Sequence, residues 1–248
     1  MKQLNAVISH LPAGEVEQDM RALRELSPDA EFLCCYTGPR SEFERLGGDA
    51  ILLEDDWLGG APRTYQSYHG VFAALAERSF DALYLIEYDQ LVLDPGFEAA
   101  LIALAEGTGA GFMGKNCVPR NGTNWPHYAR FRRDRELFDH LRRISTREDP
   151  TVIFGTLGTG MWLSRDALDS YLSLEAHPRC YGELYVPTIL HHLGHPVVDI
   201  DAISDLYRHV RWQPDYELAE IASLERDGAV FVHPVKSAAT RRAAAAAR

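Results

Sequence analysis

Glu87-Tyr88-Asp89 is the stretch of this chain best equipped for chemistry. An apolar run over residues 82–86 stops abruptly in these three, and a second apolar run, 91–93, follows at once. Two carboxylates two residues apart point to the same side of an extended backbone. At the end of a buried strand such a pair suits a hard divalent cation, which prefers oxygen ligands and leaves positions for phosphate oxygens and water. Without a cation the two charges repel, and one needs a raised pKa or solvent. The plainer reading is a strand that ends in a polar turn.

Three further groups have chemically capable side chains. His233 follows the apolar run 229–232 and precedes Pro234, which biases it towards an extended backbone; Lys236 lies three residues on. An imidazole can complete a Mn²⁺ site and an ammonium can neutralise a phosphate, although a strand with a polar end has the same pattern. Glu183 opens a predicted helix, where the backbone dipole stabilises a carboxylate; it is either a helix-start acid or a general base for a hydroxyl. Gly158-Thr159-Gly160-Met161-Trp162 allows close backbone approach, and is otherwise a tight entry into a strand.

Several familiar patterns are missing. The turn after the first strand, Ser9-His10-Leu11-Pro12-Ala13-Gly14, lacks a Gly-x-Gly-x-x-Gly fingerprint, and no Gly-x-x-x-x-Gly-Lys-Ser/Thr occurs. There is no Gly-x-Ser-x-Gly elbow. His191 and His195 share a helix spacing, but no Glu follows His191 in a zinc-peptidase pattern.

The elements that must position these residues alternate. Strands are predicted over 4–8, 31–36, 49–53 and 82–86, with helices over 15–26, 41–46 and 64–78 between them. This order predicts an α/β fold: a mainly parallel central sheet with helices on both faces, binding ligands at the carboxyl ends of its strands. The second half is less regular. It reads as a helix over 97–105, a strand over 110–115, a polar loop containing Asn116 and Trp125, and an amphipathic helix within 130–148. A strand at 161–163, helices over 166–174 and 183–193, and a strand over 196–200 follow; Pro187 is expected in the first turn of its helix. One domain is expected over residues 1–240. The low-complexity end, 241–248, either extends a helix or frays.

The chain has 248 residues, 46% hydrophobic and 25% charged, enough for one substantial core. A formal net charge of −11 argues against nonspecific nucleic-acid binding and against a polybasic membrane surface. Lys occurs only at positions 2, 115 and 236, so 22 of the 25 basic residues are Arg, a bias expected of a GC-rich bacterial genome. Cys34, Cys35, Cys117 and Cys180 form no metal-spaced motif, which suits a reducing compartment. With no signal-like start and no apolar run of about 18 residues, the expected location is the cytoplasm.

In chain order, an acidic triplet after the fourth strand, a Gly-rich segment before an aromatic, an acidic helix start and a late His with a nearby Lys resemble the nucleotide-sugar-dependent glycosyltransferases of the GT-A fold. Glu87-Tyr88-Asp89 looks like their Asp-x-Asp metal motif. Residues 159–165 are similar to their donor-sugar and acceptor segment. Glu183 falls where many inverting members place a catalytic acid residue, and His233 with Lys236 resembles the late His that completes the metal site in several members. The resemblance covers residues 4–236 and is one of order and pattern.

It implies Mn²⁺ or Mg²⁺ on Asp89, with Glu87 or His233 assisting, and a UDP- or GDP-sugar donor. The nucleotide would lie near Ser9, His10, Asp55, Asp56 and Lys236. Asn116, Gly158, Gly160 and Trp162 would surround the donor sugar and a carbohydrate or other hydroxyl acceptor. In an inverting transfer Glu183 would take the acceptor's proton. Two features depart from the pattern: the first acid of the triplet is Glu, and no Glu-Asp pair marks the base. Two alternatives stand beside this one. A nucleotidyltransferase making nucleotide sugars usually carries a basic Gly-rich loop after the first strand, which residues 11–14 lack. The other is a noncatalytic nucleotide- or carbohydrate-binding protein with a degenerate site.

Overall fold

β1 (Gln3–Ser9) is buried along its whole length, as a strand covered on both faces must be. The structure is a computed structural model and describes residues 1–47, 49–53 and 67–248. After β1 come α1 (Ala13–Leu26), β2 (Glu31–Tyr36), α2 (Arg40–Phe43), β3 (Ala50–Leu52), α3 (Ser67–Leu75) and β4 (Ala82–Glu87). The second half contains β5 (Leu91–Val92), α4 (Phe97–Thr108), β6 (Phe112–Gly114), β7 (Val118–Pro119), α5 (Pro126–Phe131), α6 (Arg135–Ile144), β8 (Phe154–Gly155) and β9 (Met161–Ser164). It closes with α7 (Arg165–Leu172), α8 (Gly182–His192), β10 (Val197–Asp199), α9 (Leu218–Arg226), β11 (Phe231–Val232) and α10 (Ala238–Ala246).

Seven strands form the central sheet in the order β10-β6-β9-β4-β1-β2-β3. All neighbours pair in parallel except β9, which runs antiparallel to both β4 and β6. Alternation along β1 and β4 sorts their side chains between two cores. Leu4, Ala6, Ile8, Leu83 and Leu85 pack with α3, α7 and α8, whereas Val7, Tyr84 and Ile86 pack with α1 and α4. The fold is therefore α/β, with a mainly parallel sheet covered on both faces.

From β1 the chain moves outward through β2 to β3, then returns to place β4 on the other side of β1. The strand order reverses there, and a crevice opens beyond the carboxyl ends of β1 and β4, the usual ligand position in such sheets. Ser9-His10 ends one strand and Glu87-Tyr88-Asp89 the other. Asp55 and Asp56, expected near the nucleotide, lie outside the described residues.

One local feature differs from the sequence expectation. Pro187 sits in the second turn of α8 rather than the first. A proline there cannot donate to the carbonyl four residues back; the Glu183 carbonyl instead accepts the Thr156 N–H at 3.0 Å. The amphipathic helix expected within 130–148 is α6, whose start is capped by the Asp134 side chain accepting from Leu137 N–H. Of the two alternatives for the chain end, the helix forms: Ser237 caps α10, and Arg241 within it is buried. Among the described residues no helix is long and apolar enough to cross a membrane, and all four cysteines are buried and free.

Candidate active site

The acidic turn and the late histidine meet because two short apolar runs pair. β5 follows the turn immediately and runs antiparallel to β11, with Leu91 opposite Val232 and Val92 opposite Phe231. The residue after Val232 is His233, so the pairing delivers it beside the turn. Val235 N–H then donates to the Asp89 carbonyl at 2.8 Å and fixes the approach. The strand alternation expected for Glu87 and Asp89 does not operate. β4 ends at Glu87, and a turn closed by Gln90 N–H on the Glu87 carbonyl brings the two carboxylates together.

Glu87, Asp89 and His233 each offer a ligand atom, all within 4.8 Å of one another. His233 Nδ1 lies 2.6 Å from the Arg211 carbonyl, which can only accept, so Nδ1 carries the proton. In the neutral ring Nε2 then turns a lone pair toward Asp89 Oδ1, 3.3 Å away. That oxygen is buried and has no hydrogen-bond donor among the described residues. Two lone pairs facing each other require a positive centre between them, either a proton or a metal ion. A histidine whose far nitrogen is held by a carbonyl is the usual arrangement of a metal ligand. One imidazole with two carboxylates also fits the mixed N/O preference of Mn²⁺ and its neighbours.

The opposite wall is built on Tyr68 of α3. Its hydroxyl is 3.2 Å from the Gly158 carbonyl and 3.4 Å from Glu87 Oε1. Gly158 and Gly182 leave room for this ring: a Cβ at Gly182 would stand 2.3 Å from Tyr68 Cδ2, and one at Gly158 2.7 Å from both the Tyr68 hydroxyl and Glu183 Oε1. Gly158 N–H donates to Glu183 Oε1 at 3.0 Å. Burial, reinforced by the Glu87 charge, raises the Glu183 carboxyl to about 8. Burial and then the Asp89 charge raise Glu87 to about 7. His10 is pushed the other way, below its ordinary value, by burial against the opposing pull of Asp89.

A directional chain of buried hydrogen bonds locks the two walls together. Gln90 Nε2 donates to the Tyr84 hydroxyl at 2.7 Å, and Tyr207 donates to the Gly160 carbonyl at 2.6 Å. The Tyr84 and Tyr207 hydroxyls are 3.0 Å apart, and Thr159 Oγ1 donates to Gln90 Oε1 at 2.7 Å. Every member is satisfied, which is how buried polar groups add rigidity rather than cost.

The structure gathers His10, Glu87, Asp89, Glu183, His233 and Lys236 around one open cleft. Gly158 holds Glu183 from behind. The other expected residues among those described lie elsewhere. Ser9 is buried and its hydroxyl accepts the Leu11 N–H at 3.3 Å, capping its own turn. Gly160 supports the loop through its carbonyl. Trp162 is a core residue, 1% exposed, with Nε1 donating to Gln3 Oε1 at 3.0 Å. Asn116 is exposed, in a left-handed conformation at φ 52°, away from the cleft lining.

Tyr68, Tyr181 and Trp212 also line the cleft and were not singled out as site residues from the sequence. Tyr68 reads as part of an apolar helix face, and nothing in the spacing marks its hydroxyl. Trp212, 72% exposed, sits in an irregular segment where a lone aromatic has no pattern to declare it.

No protein-family model matches the chain, and a sequence search of the curated proteins finds no match. Solved structures do show likeness. One is the mannosyltransferase PcManGT from Pyrobaculum calidifontis in complex with GDP-Man and Mn²⁺, at 13% identity and TM-score 0.46, covering 80% of this chain and 54% of that one. The chain thus spans about half that enzyme's length. A glycosyltransferase involved in glycosylation of the major capsid of PBCV-1 is 11% identical with TM-score 0.46, covering 98% of this chain and 99% of that one. Glucosyl-3-phosphoglycerate synthase from Mycobacterium tuberculosis, in complex with Mn²⁺, UDP and glucosyl-3-phosphoglycerate, is 17% identical with TM-score 0.42, covering 91% and 76%. Nucleotidyltransferase-type enzymes are also among the matches.

Proposed function

We propose that the protein is a metal-dependent glycosyltransferase that moves a sugar from a UDP- or GDP-sugar to an acceptor hydroxyl, working in the cytoplasm. The observation that carries this reading is the convergence of Glu87, Asp89 and His233 at the crevice between β1 and β4, with Glu183 on the facing wall. Asp89 and His233, with Glu87, would hold Mn²⁺ or Mg²⁺. Bound there, the ion supplies Lewis-acid stabilisation of the departing nucleoside diphosphate.

The chain's own residues do the rest. The ends of β1 and β4, at His10 and Tyr88, form the floor for the nucleotide. Lys236 is exposed and pairs loosely with Asp215 at 3.7 Å, a contact weak enough to give way to a phosphate. Glu183 is the general base. Burial raises its carboxyl, while the Gly158 N–H and Tyr181 hydrogen-bond its ionised form and orient it. In an inverting transfer the acceptor O–H gives its proton to Glu183, the acceptor oxygen bonds to the anomeric carbon, and the bond from that carbon to the diphosphate breaks.

The test is nucleoside diphosphate release from a panel of UDP- and GDP-sugars with Mn²⁺. Release is expected to stop with a chelator. Glu183→Gln is expected to bind the donor as wild type does and to lose transfer by about 10²–10⁴-fold, the scale of a lost general base. Metal-independent release, or full activity in Glu183→Gln, would contradict the assignment.

A further inference from the structure

We propose that Arg241, in the C-terminal helix, is a positioning residue for the cation site: it holds the segment 233–236 against the acidic turn. The inference rests on the cation site proposed above. α10 is largely alanine, so it has little apolar surface with which to dock. It nevertheless buries a guanidinium to 3% exposure. Burial of that depth is tolerable only with a full set of partners.

The partners fall into two groups. Towards α1, Nε donates to Asp19 Oδ2 at 3.1 Å and Nη2 reaches Glu15 Oε2 at 3.4 Å. Towards the site, Nη1 donates to the Val235 carbonyl at 3.1 Å and the Lys236 carbonyl at 2.9 Å. Val235 N–H is bonded to the Asp89 carbonyl, and His233 lies two residues before Val235. The Arg241 guanidinium carbon also stands 6.0 Å from the centre of the Tyr88 ring, in the middle of the acidic triplet.

Beneath the turn a small pocket opens between α1, the turn and α10; Met20, Glu87, Tyr88 and Arg241 line it. Across that space Arg241 carries the hydrogen bonds from α1 to the segment bearing His233. A planar five-donor fork can serve four acceptors at once, which an ammonium on the same stem cannot. Freeing the segment lets His233 drift from Asp89, and a three-ligand site is sensitive to such drift. Groups that orient metal ligands typically affect affinity by about 10–100-fold.

The test is a Mn²⁺ titration followed by the EPR signal of free Mn²⁺, with the ion alone and with saturating GDP or UDP. Arg241→Met is expected to bind Mn²⁺ at least about tenfold more weakly than wild type, and Arg241→Lys to fall between the two. Arg248→Ala is the control. It removes another anchor of the same chain end, to the Val92 carbonyl and Glu225, without touching 233–236. It is expected to bind within about twofold of wild type. Mn²⁺ binding by Arg241→Met within twofold of wild type, or equal losses in Arg241→Met and Arg248→Ala, would overturn the inference. If Arg241→Met does not fold, Arg241→Lys decides by the same criterion. Loss in Asp89→Ala with no loss at Arg241 removes this inference and leaves the cation site standing. No binding by wild type in any arm removes both.

Discussion

Glu183 keeps its proton far above the usual carboxylate range because burial and the Glu87 charge disfavour its ionised form. Its folded value is about 8 against 4.5 in the free residue, so between those values the folded state binds the extra proton. Stability from this group is therefore full at low pH and falls as pH rises through that window. Replacement by Gln removes the dependence. Without metal, the melting temperature of Glu183→Gln minus that of wild type is expected to be small at pH 5 and to grow in the variant's favour up to about pH 8. A difference independent of pH would contradict a Glu183 carboxyl raised by burial. At this scale the sequence marked the groups by type: Glu87, Asp89, Glu183 and His233 are titratable or ligating wherever they lie. It could not tell which way Trp162 points. An aromatic after a glycine fits a pocket wall or a strand interior equally, and β9 carries it into the core.

Among the elements, the pairing of β5 with β11 matters most, since it sets His233 beside Asp89. Phe231 anchors that pairing, fully buried between the rings of Tyr84, Phe97 and Tyr207. Phe231→Ala is expected to cost about 3–5 kcal/mol in urea unfolding and, in the folded fraction, to weaken Mn²⁺ binding. A loss under about 1 kcal/mol would show that the pair is not held by this cluster. The alternating strands and helices of the first half were readable because each is a short buried run with its own stop signal. The reversed direction of β9 was not, since local pattern carries no information about strand polarity. Nor was the position of Pro187, whose cost is met by Thr156, a partner distant in sequence. The β5–β11 contact joins segments about 140 residues apart and was visible only as two apolar runs, each beside a candidate ligand.

For the molecule as a whole, the order of strands around β1 and β4 places one cleft at the reversal point, and the charge of that cleft defines what can enter it. Glu87, Asp89 and Glu183 face it in a protein of net charge −11. A diphosphate approaching these carboxylates alone meets repulsion; accompanied by a divalent cation it does not. Nucleotide and metal should therefore stabilise the fold together. Thermal unfolding with UDP and with GDP, each with and without Mn²⁺, in wild type and Asp89→Ala, tests this most directly. At about 100 times the dissociation constant a ligand adds about 2.7 kcal/mol. For a chain of this size that raises the melting temperature by roughly 5–10 °C. Such a rise is expected for one of the two nucleotides with Mn²⁺ in the wild-type protein, with little for nucleotide alone and none in Asp89→Ala. An equal rise without metal, the same rise in Asp89→Ala, or no rise with either nucleotide would contradict it.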